Sequence, residues 1–167
     1  VTTNLKNIEK ETKIFFSSLV RSKLNYIIIY PNNDLGSTII LRELLKLRRN
    51  NNFKIFPSIR FEYYLTLLKN SKFIIGNSSS GIIEAPYYGV TTINIGYRQK
   101  NRLKSNLIKN ISFKEKKIID TINQVKNRRI IQRKFFGEGN SAEKIEKLLL
   151  SNKIWKISNQ KSFIDLV

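Results

Sequence analysis

Cysteine and histidine are absent from the chain, and each absence removes a class of chemistry. Without Cys there are no disulfides, no thiolate metal sites and no Cys nucleophile, and the composition suits a reducing compartment such as the cytoplasm. Without His the commonest general base and metal ligand is missing. Any catalysis must use carboxylates, Lys, Tyr or Ser, or groups supplied from outside this chain. No apolar run reaches the roughly 18 residues that would indicate a membrane span. The opening VTTNLKNIEKETKIFF lacks the basic, apolar and small-residue zones of a signal peptide. Met is absent too, even at the first position, and we expect a fragment whose upstream part lies outside this sequence.

Acids are scarce. Asp and Glu number 12 against 31 Lys and Arg, a net charge of +19. Such a balance points to polyanionic partners, namely nucleic acid, a membrane surface or phosphorylated metabolites. The excess is spread along the chain together with abundant Asn, Ile, Tyr and Phe, so compositional drift accounts for most of it. The exception is KNRRIIQRK (Lys126 to Lys134), either a local patch for anions or a solvated connection. No reading head or aromatic-interleaved basic stripe for nucleic acid is present. With 167 residues and 41% hydrophobic content the chain can bury the core of one ordinary domain.

Hydrophobic spacing organises that domain. Ile8, Phe15, Leu19 and Val20 recur near helical period between Leu5 and Ser22. NYIIIY (Asn25 to Tyr30), closed by Pro31, reads as a strand buried on both faces. PNNDLGS is turn chemistry, with Ser37 or Asp34 able to cap a helix over TIILRELLKLRR. FKIF, KFIIG and TTINIG are further strands. RFEYYLTLLKN and the short GIIEAPYYG are helices between them. RQKNRLKSNLIKNIS holds a loop, a short helix and a short edge strand. KEKKIIDTINQVKN and NSAEKIEKLLL are helices, the second capped by Asn140 or Ser141, and the tail NKIWKISNQKSFIDLV, with the only Trp, is too apolar to be free. Strands and helices alternating through short connections predict an α/β fold with a Rossmann-like parallel sheet flanked by helices, in a single domain over residues 1–167 with a C-terminal tail helix.

Ligands of open parallel sheets bind beyond the carboxyl ends of the strands, which directs attention to PNNDLGS, PSIR, GNSSSG and GYRQKNR. In GNSSSG, Gly76 and Gly81 allow close backbone approach, and Ser78, Ser79 and Ser80 offer hydroxyls. Backbone N–H groups at the following helix start would complete an anion site suited to a phosphate or diphosphate. Taken alone, a serine-rich turn is more often a polar connection in which Ser80 caps the helix. Glu84 shifts the balance. It lies about one helical turn beyond the serines, where a carboxylate suits two ribose hydroxyls, although an acid near a helix N-terminus also favours the dipole. Arg98 and Arg102, with Lys100 between them, are placed to neutralise a diphosphate, or form a solvated cluster. Tyr63 and Tyr64 offer a stacking face or belong to the core. Asp34 and Glu62 are isolated acids. There is no Walker-type loop, no dinucleotide fingerprint, no metal-ligand cluster and no paired-carboxylate site.

The stretch FIIGNSSSGIIEAPYYGVTTINIGYRQKNR, with YPNNDLGS, FKIFPSIRFEYYLTLLKNSK and FFGEGNSAEKIEKLL, resembles the C-terminal half of UDP-N-acetylglucosamine 2-epimerases. The resemblance is nearest to the hydrolysing branch that feeds sialic and legionaminic acid synthesis, and runs through nearly the whole chain. It implies the second of two Rossmann-like domains of glycosyltransferase-B type, a domain that grips UDP at the interdomain cleft. By that resemblance Ser78 and Ser79 hold the diphosphate, Glu84 binds the ribose hydroxyls, and Arg98 contacts the nucleotide with Arg102 nearby. Tyr64 falls close to the uracil, and Asn32 borders the cleft. The implied chemistry is anti elimination of UDP from UDP-N-acetylglucosamine to a 2-acetamidoglucal, followed by addition of water to give N-acetylmannosamine or a related sugar. It needs no metal or redox cofactor. The family's acidic catalytic residues sit in an N-terminal domain outside this sequence, so the chain alone is expected to be inactive, and the full-length form a homo-oligomer. Thr91 stands where the family usually has Pro, and Tyr97 where a smaller or acidic residue is common. The nucleotide-sugar-binding domain of a B-type glycosyltransferase, whose UDP release requires an acceptor sugar, is the alternative.

Overall fold

Among the described residues, short β-branched and aromatic runs bounded by Pro, Gly or Asn become five strands: β1 (Tyr26–Ile29), β2 (Phe53–Phe56), β3 (Phe73–Gly76), β4 (Thr91–Ile95) and β5 (Ile108–Ile111). The computed structural model describes residues 5–127 and 134–157. The chain divides into two compact units, Val1–Arg133 and Lys134–Val167. In the first, β1 pairs in parallel with β2, and β4 lies between β3 and β5, also in parallel. The register sets Ile29 opposite Phe56 and Gly76 opposite Asn94, so the carboxyl ends within each ribbon are level. Tyr26, at the start of β1, stacks on Phe53 of β2 and meets the ring of Phe73 of β3 edge-on, centroids 6.3 Å apart, which brings the two ribbons onto one core.

Helices cover both sides of the β3–β4–β5 ribbon. On one face α1 (Leu5–Arg21), α2 (Ser37–Leu45) and α5 (Glu115–Val125) enclose Leu19, Leu44, Ile93, Ile95, Ile118, Ile122 and Val125, all almost fully buried. Strand alternation sends Phe73 and Ile75 to this side and Ile74 to the other, where α3 (Phe61–Asn70) and α4 (Glu84–Tyr87) pack Leu68, Ala85 and Val90. β4 is buried along its whole length, as a central parallel strand should be. At full burial of a Leu or Ile side chain contributing about 1.5–3 kcal/mol, these residues dominate the unit's stability.

Several expectations are corrected. β1 is not buried on both faces: Ile27 and Ile29 are 50% and 37% exposed, because none of the described helices covers that side of the β1–β2 ribbon. In α1 the fully buried aromatic is Phe16, with Phe15 only half-buried and Val20 exposed. The residue ahead of α2 is Gly36, at φ 86°, and no side chain caps the helix; Asp34 is engaged elsewhere. The helix read after the serines is a 310 turn (Ser79–Gly81) and a single α turn, α4. The segment after β4 forms turns and β5 but no helix.

In the second unit α6 (Ser141–Leu150) follows Asn140, whose side chain makes no cap bond, and α7 (Asn152–Trp155) comes next. Lys147 Nζ bonds Glu143 Oε1 at 2.6 Å, and Trp155 Nε1 donates to the Leu149 carbonyl at 3.0 Å while its ring is 71% exposed. Most of the basic run from Lys126 to Lys134, and the tail beyond Ile157, lie outside the described residues. Among the described residues no helix is long and apolar enough to cross a membrane.

Candidate functional site

Because β3, β4 and β5 run parallel, the loops leaving their carboxyl ends emerge along one edge, and the β1 loop joins them through a side-chain bond. The loop after β3 turns sharply at Gly76, φ 145°, a backbone state that L side chains rarely adopt. It continues through Asn77 and the exposed Ser78 and Ser79 to Gly81. Gly81 packs against β4: a Cβ there would lie 2.6 Å from Thr92 Cγ2, and Thr92 Oγ1 donates to the Gly81 carbonyl. Ser78 Oγ accepts from the Ser80 amide at 3.3 Å, so Ser78, not Ser80, takes the cap position. The N–H groups of Ser78 and Ser79 have no acceptor among the described residues. Since α4 spans only four residues, the expected helix-dipole contribution to an anion site is small; the loop's own N–H and hydroxyl donors remain.

Tyr64, half-buried on α3, reaches this loop from the side, its hydroxyl bonded to Ser80 Oγ. Burial pushes the Tyr64 phenol above its ordinary value; the Ser80 bond works against the rise, and the negative charge of Glu84 adds to it. Glu84 therefore stands within electrostatic reach of the Tyr64–Ser80 pair. It opens α4 half-buried, and its Oε2 is buried without a hydrogen-bond partner. The aromatic ring of Tyr64 stacks with Phe61, centroids 6.5 Å apart.

The loop after β4 closes the arrangement. Gly96 turns it at φ 81°, and Tyr97, Arg98, Lys100 and Arg102 are exposed while Gln99 is 3% exposed. Arg98 Nη1 donates to Asp34 Oδ2 at 2.7 Å, joining the β4 loop to the β1 loop that carries Asn32. Gln99 Nε2 donates to the Asn77 carbonyl at 3.0 Å, joining it to the serine loop. Lys100 sits over the Tyr97 ring at 5.4 Å. Arg102 and Asn32 are exposed.

Of the residues singled out from sequence, Tyr64, Ser78 and Glu84 thus cluster about Ser80, and Ser79 follows Ser78 in the same loop. Arg98 is held by Asp34 of the β1 loop, which lies two residues after Asn32 in sequence. Asp34 and Gln99 were missed as site-forming residues. Nothing local marks Asp34, whose partner is 64 positions away, and Gln99 sits in a run of cations that reads as surface.

Comparison with known proteins adds to this geometry. The family model of UDP-N-acetylglucosamine 2-epimerase matches residues 2–150. The chain is 42% identical over 170 residues to the UDP-N-acetylglucosamine 2-epimerase of Neisseria meningitidis serogroup B, covering 99% of this chain and 45% of that protein. It is 36% identical over 111 residues to the GDP/UDP-N,N'-diacetylbacillosamine 2-epimerase (hydrolyzing) of Campylobacter jejuni, covering 65% of this chain and 29% of that one. A solved structure of the Methanocaldococcus jannaschii UDP-GlcNAc 2-epimerase, in complex with UDP-GlcNAc and UDP, shares the fold at a TM-score of 0.66 and 21% identity, covering 84% of this chain and 41% of that one. The chain spans under half the length of these relatives.

Proposed function

The chain belongs to the UDP-N-acetylglucosamine 2-epimerase family, and from that premise we propose that it is the UDP-gripping part of a hydrolysing 2-epimerase. The reaction removes the C2 proton and the C1–UDP bond of UDP-N-acetylglucosamine to give a 2-acetamidoglucal and UDP. Water then adds across the new double bond, the hydroxyl to C1 and the proton to C2, and releases N-acetylmannosamine or a related 2-epimerised sugar. The acids that move these protons belong to the remainder of a longer protein, a cytoplasmic homo-oligomer, and this chain contributes no catalytic residue. Its part is binding. Ser78 and Ser79 hold the diphosphate through hydroxyls and free N–H groups, Arg98 and Arg102 balance its charge, Glu84 takes the ribose hydroxyls, and Tyr64 and Asn32 border the nucleotide. The hydrolysing outcome draws its support from relatives such as the C. jejuni enzyme, whose name carries that activity.

The observation that carries the reading is the unpartnered carboxylate oxygen of Glu84 beside the serine loop. A carboxylate drawn out of water without a donor is costly, and a ribose diol supplies two donors, with a diphosphate attached at the correct end to meet Ser78 and Ser79. Calorimetric titration of UDP into the chain tests it. Weak but measurable binding, lost in Glu84→Ala, is the expected result; binding that ignores the substitution removes Glu84 from the site. Joining the chain to an N-terminal domain of the family should then restore UDP release from UDP-N-acetylglucosamine.

A further inference from the structure

We infer that Gln99 is a positioning residue for the diphosphate end of this site, fixing the direction in which the Ser78 N–H points. The inference rests on the UDP reading above and goes beyond it to a residue that does not touch the ligand.

The serine loop has little to hold its first peptide. Gly76 ends β3 opposite Asn94 and has no side chain, so no side-chain packing there fixes the peptide that follows it. Asn77 is exposed, and its carbonyl accepts from Gln99 Nε2. The peptide from Asn77 to Ser78 is trans, and in a planar trans peptide the C=O and N–H lie on opposite edges. Pinning the Asn77 carbonyl toward Gln99 therefore aims the Ser78 N–H away from it, as a donor with no acceptor within the described fold. Only the NH2 end of the Gln99 amide can meet a carbonyl, so the side chain is fixed in one orientation. The consequence is visible at the other end of the amide: Gln99 Oε1 is buried without a donor.

That arrangement is poor for stability and useful for binding. A buried acceptor left unpaired costs free energy, and Asn77, being exposed, can give its carbonyl to water. An apolar side chain of similar size would pack at least as well, but would leave the peptide free to turn. Stability and phosphate recognition should therefore separate at this position, which a purely structural role would not allow.

The test uses the 167-residue chain, with UDP and uridine titrated separately by NMR while the Ser78 amide is followed, for the wild-type chain and Gln99→Met. Wild type should bind UDP more tightly than uridine and shift the Ser78 N–H with UDP. Gln99→Met should melt no lower than wild type, bind UDP about tenfold more weakly, as for one lost hydrogen bond, and bind uridine unchanged. Gln99→Leu, which likewise offers the Asn77 carbonyl no donor and adds no charge, should show the same selective loss. Equal weakening of UDP and uridine, no weakening of either, or a Gln99→Met chain that fails to fold overturns the role given to Gln99. A wild-type chain that binds neither compound overturns the UDP reading itself, a result distinct from any effect of the variants.

Discussion

Arg98 and Asp34, 64 positions apart, are joined at 2.7 Å between Nη1 and Oδ2, so the guanidinium assigned to a diphosphate is held by an acid of the β1 loop. Both side chains are about half exposed, and an exposed pair contributes little to stability. Its effect falls on the ligand instead. A carboxylate beside the site repels a diphosphate and competes with it for Arg98. Asp34→Asn should leave the urea midpoint within about 0.5 kcal/mol of wild type and tighten UDP about threefold at low salt, an advantage that fades as salt is added. Calorimetry at two ionic strengths checks it; weaker UDP binding in Asp34→Asn would mean that the acid aims Arg98 instead of occupying it.

Gly81 is required by contact, not by backbone conformation. A methyl group there would lie 2.6 Å from Thr92 Cγ2, and Thr92 is buried with its hydroxyl committed to the Gly81 carbonyl. Neither group can yield without breaking that bond or shifting β4. Gly81→Ala should cost about 1–3 kcal/mol, the usual range for overpacking, seen as a lower urea midpoint with an unchanged slope.

How much was legible beforehand depended on the range of the interactions. β2 and β4 were read with nearly their observed bounds, since Phe53–Phe56 ends at a Pro and Thr91–Ile95 at a Gly, and local punctuation was enough. β1 carried the same β-branched signal, yet only Tyr26 and Ile28 join the core; burial on the second face depends on what packs there, which no local pattern states. The serine loop was found from its position after a strand. Local sequence offers Asp34 only as one of two possible caps, with Ser37, or as an isolated acid, whereas its partner is a distant arginine. Gln99 stood in RQKNR and looked solvated, and only the closure of the β4 loop over Asn77 buries it.

Alkaline pH should loosen the fold through its buried tyrosines. Burial raises the Tyr64 phenol above its ordinary 10.0, as it does Tyr26, whose bond to Ser22 opposes the rise. A group that holds its proton more tightly when folded contributes stability below its unfolded value, and that stability is lost as pH climbs through the raised folded value. Urea midpoints should therefore decline above about pH 10. Tyr64→Phe removes the Ser80 bond at a cost of about 0.5–1.5 kcal/mol near neutrality, and its midpoint should decline less steeply at high pH. Parallel curves for the two chains would show that folding leaves the Tyr64 phenol unshifted.

Glu84 should display opposed effects on stability and on binding. Its Oε2 is out of solvent with no donor, while the neighbouring Tyr64 hydroxyl is turned to Ser80 instead. Among the described residues no donor meets Oε2 to offset its desolvation, and the helix it opens is a single turn, too short for the dipole to be an adequate reason for an acid there. Glu84→Gln keeps the shape and discards the charge, so the folded chain should be as stable as wild type or more so, by up to about 1 kcal/mol. UDP should bind at least tenfold more weakly, because a neutral amide accepts weaker bonds from ribose hydroxyls than a carboxylate does. Thermal melting with calorimetry on the same samples reads both quantities. A Glu84→Gln chain that melts lower while binding UDP normally would make the carboxylate a device of the fold, and the serine loop would then need another partner for the nucleotide's sugar.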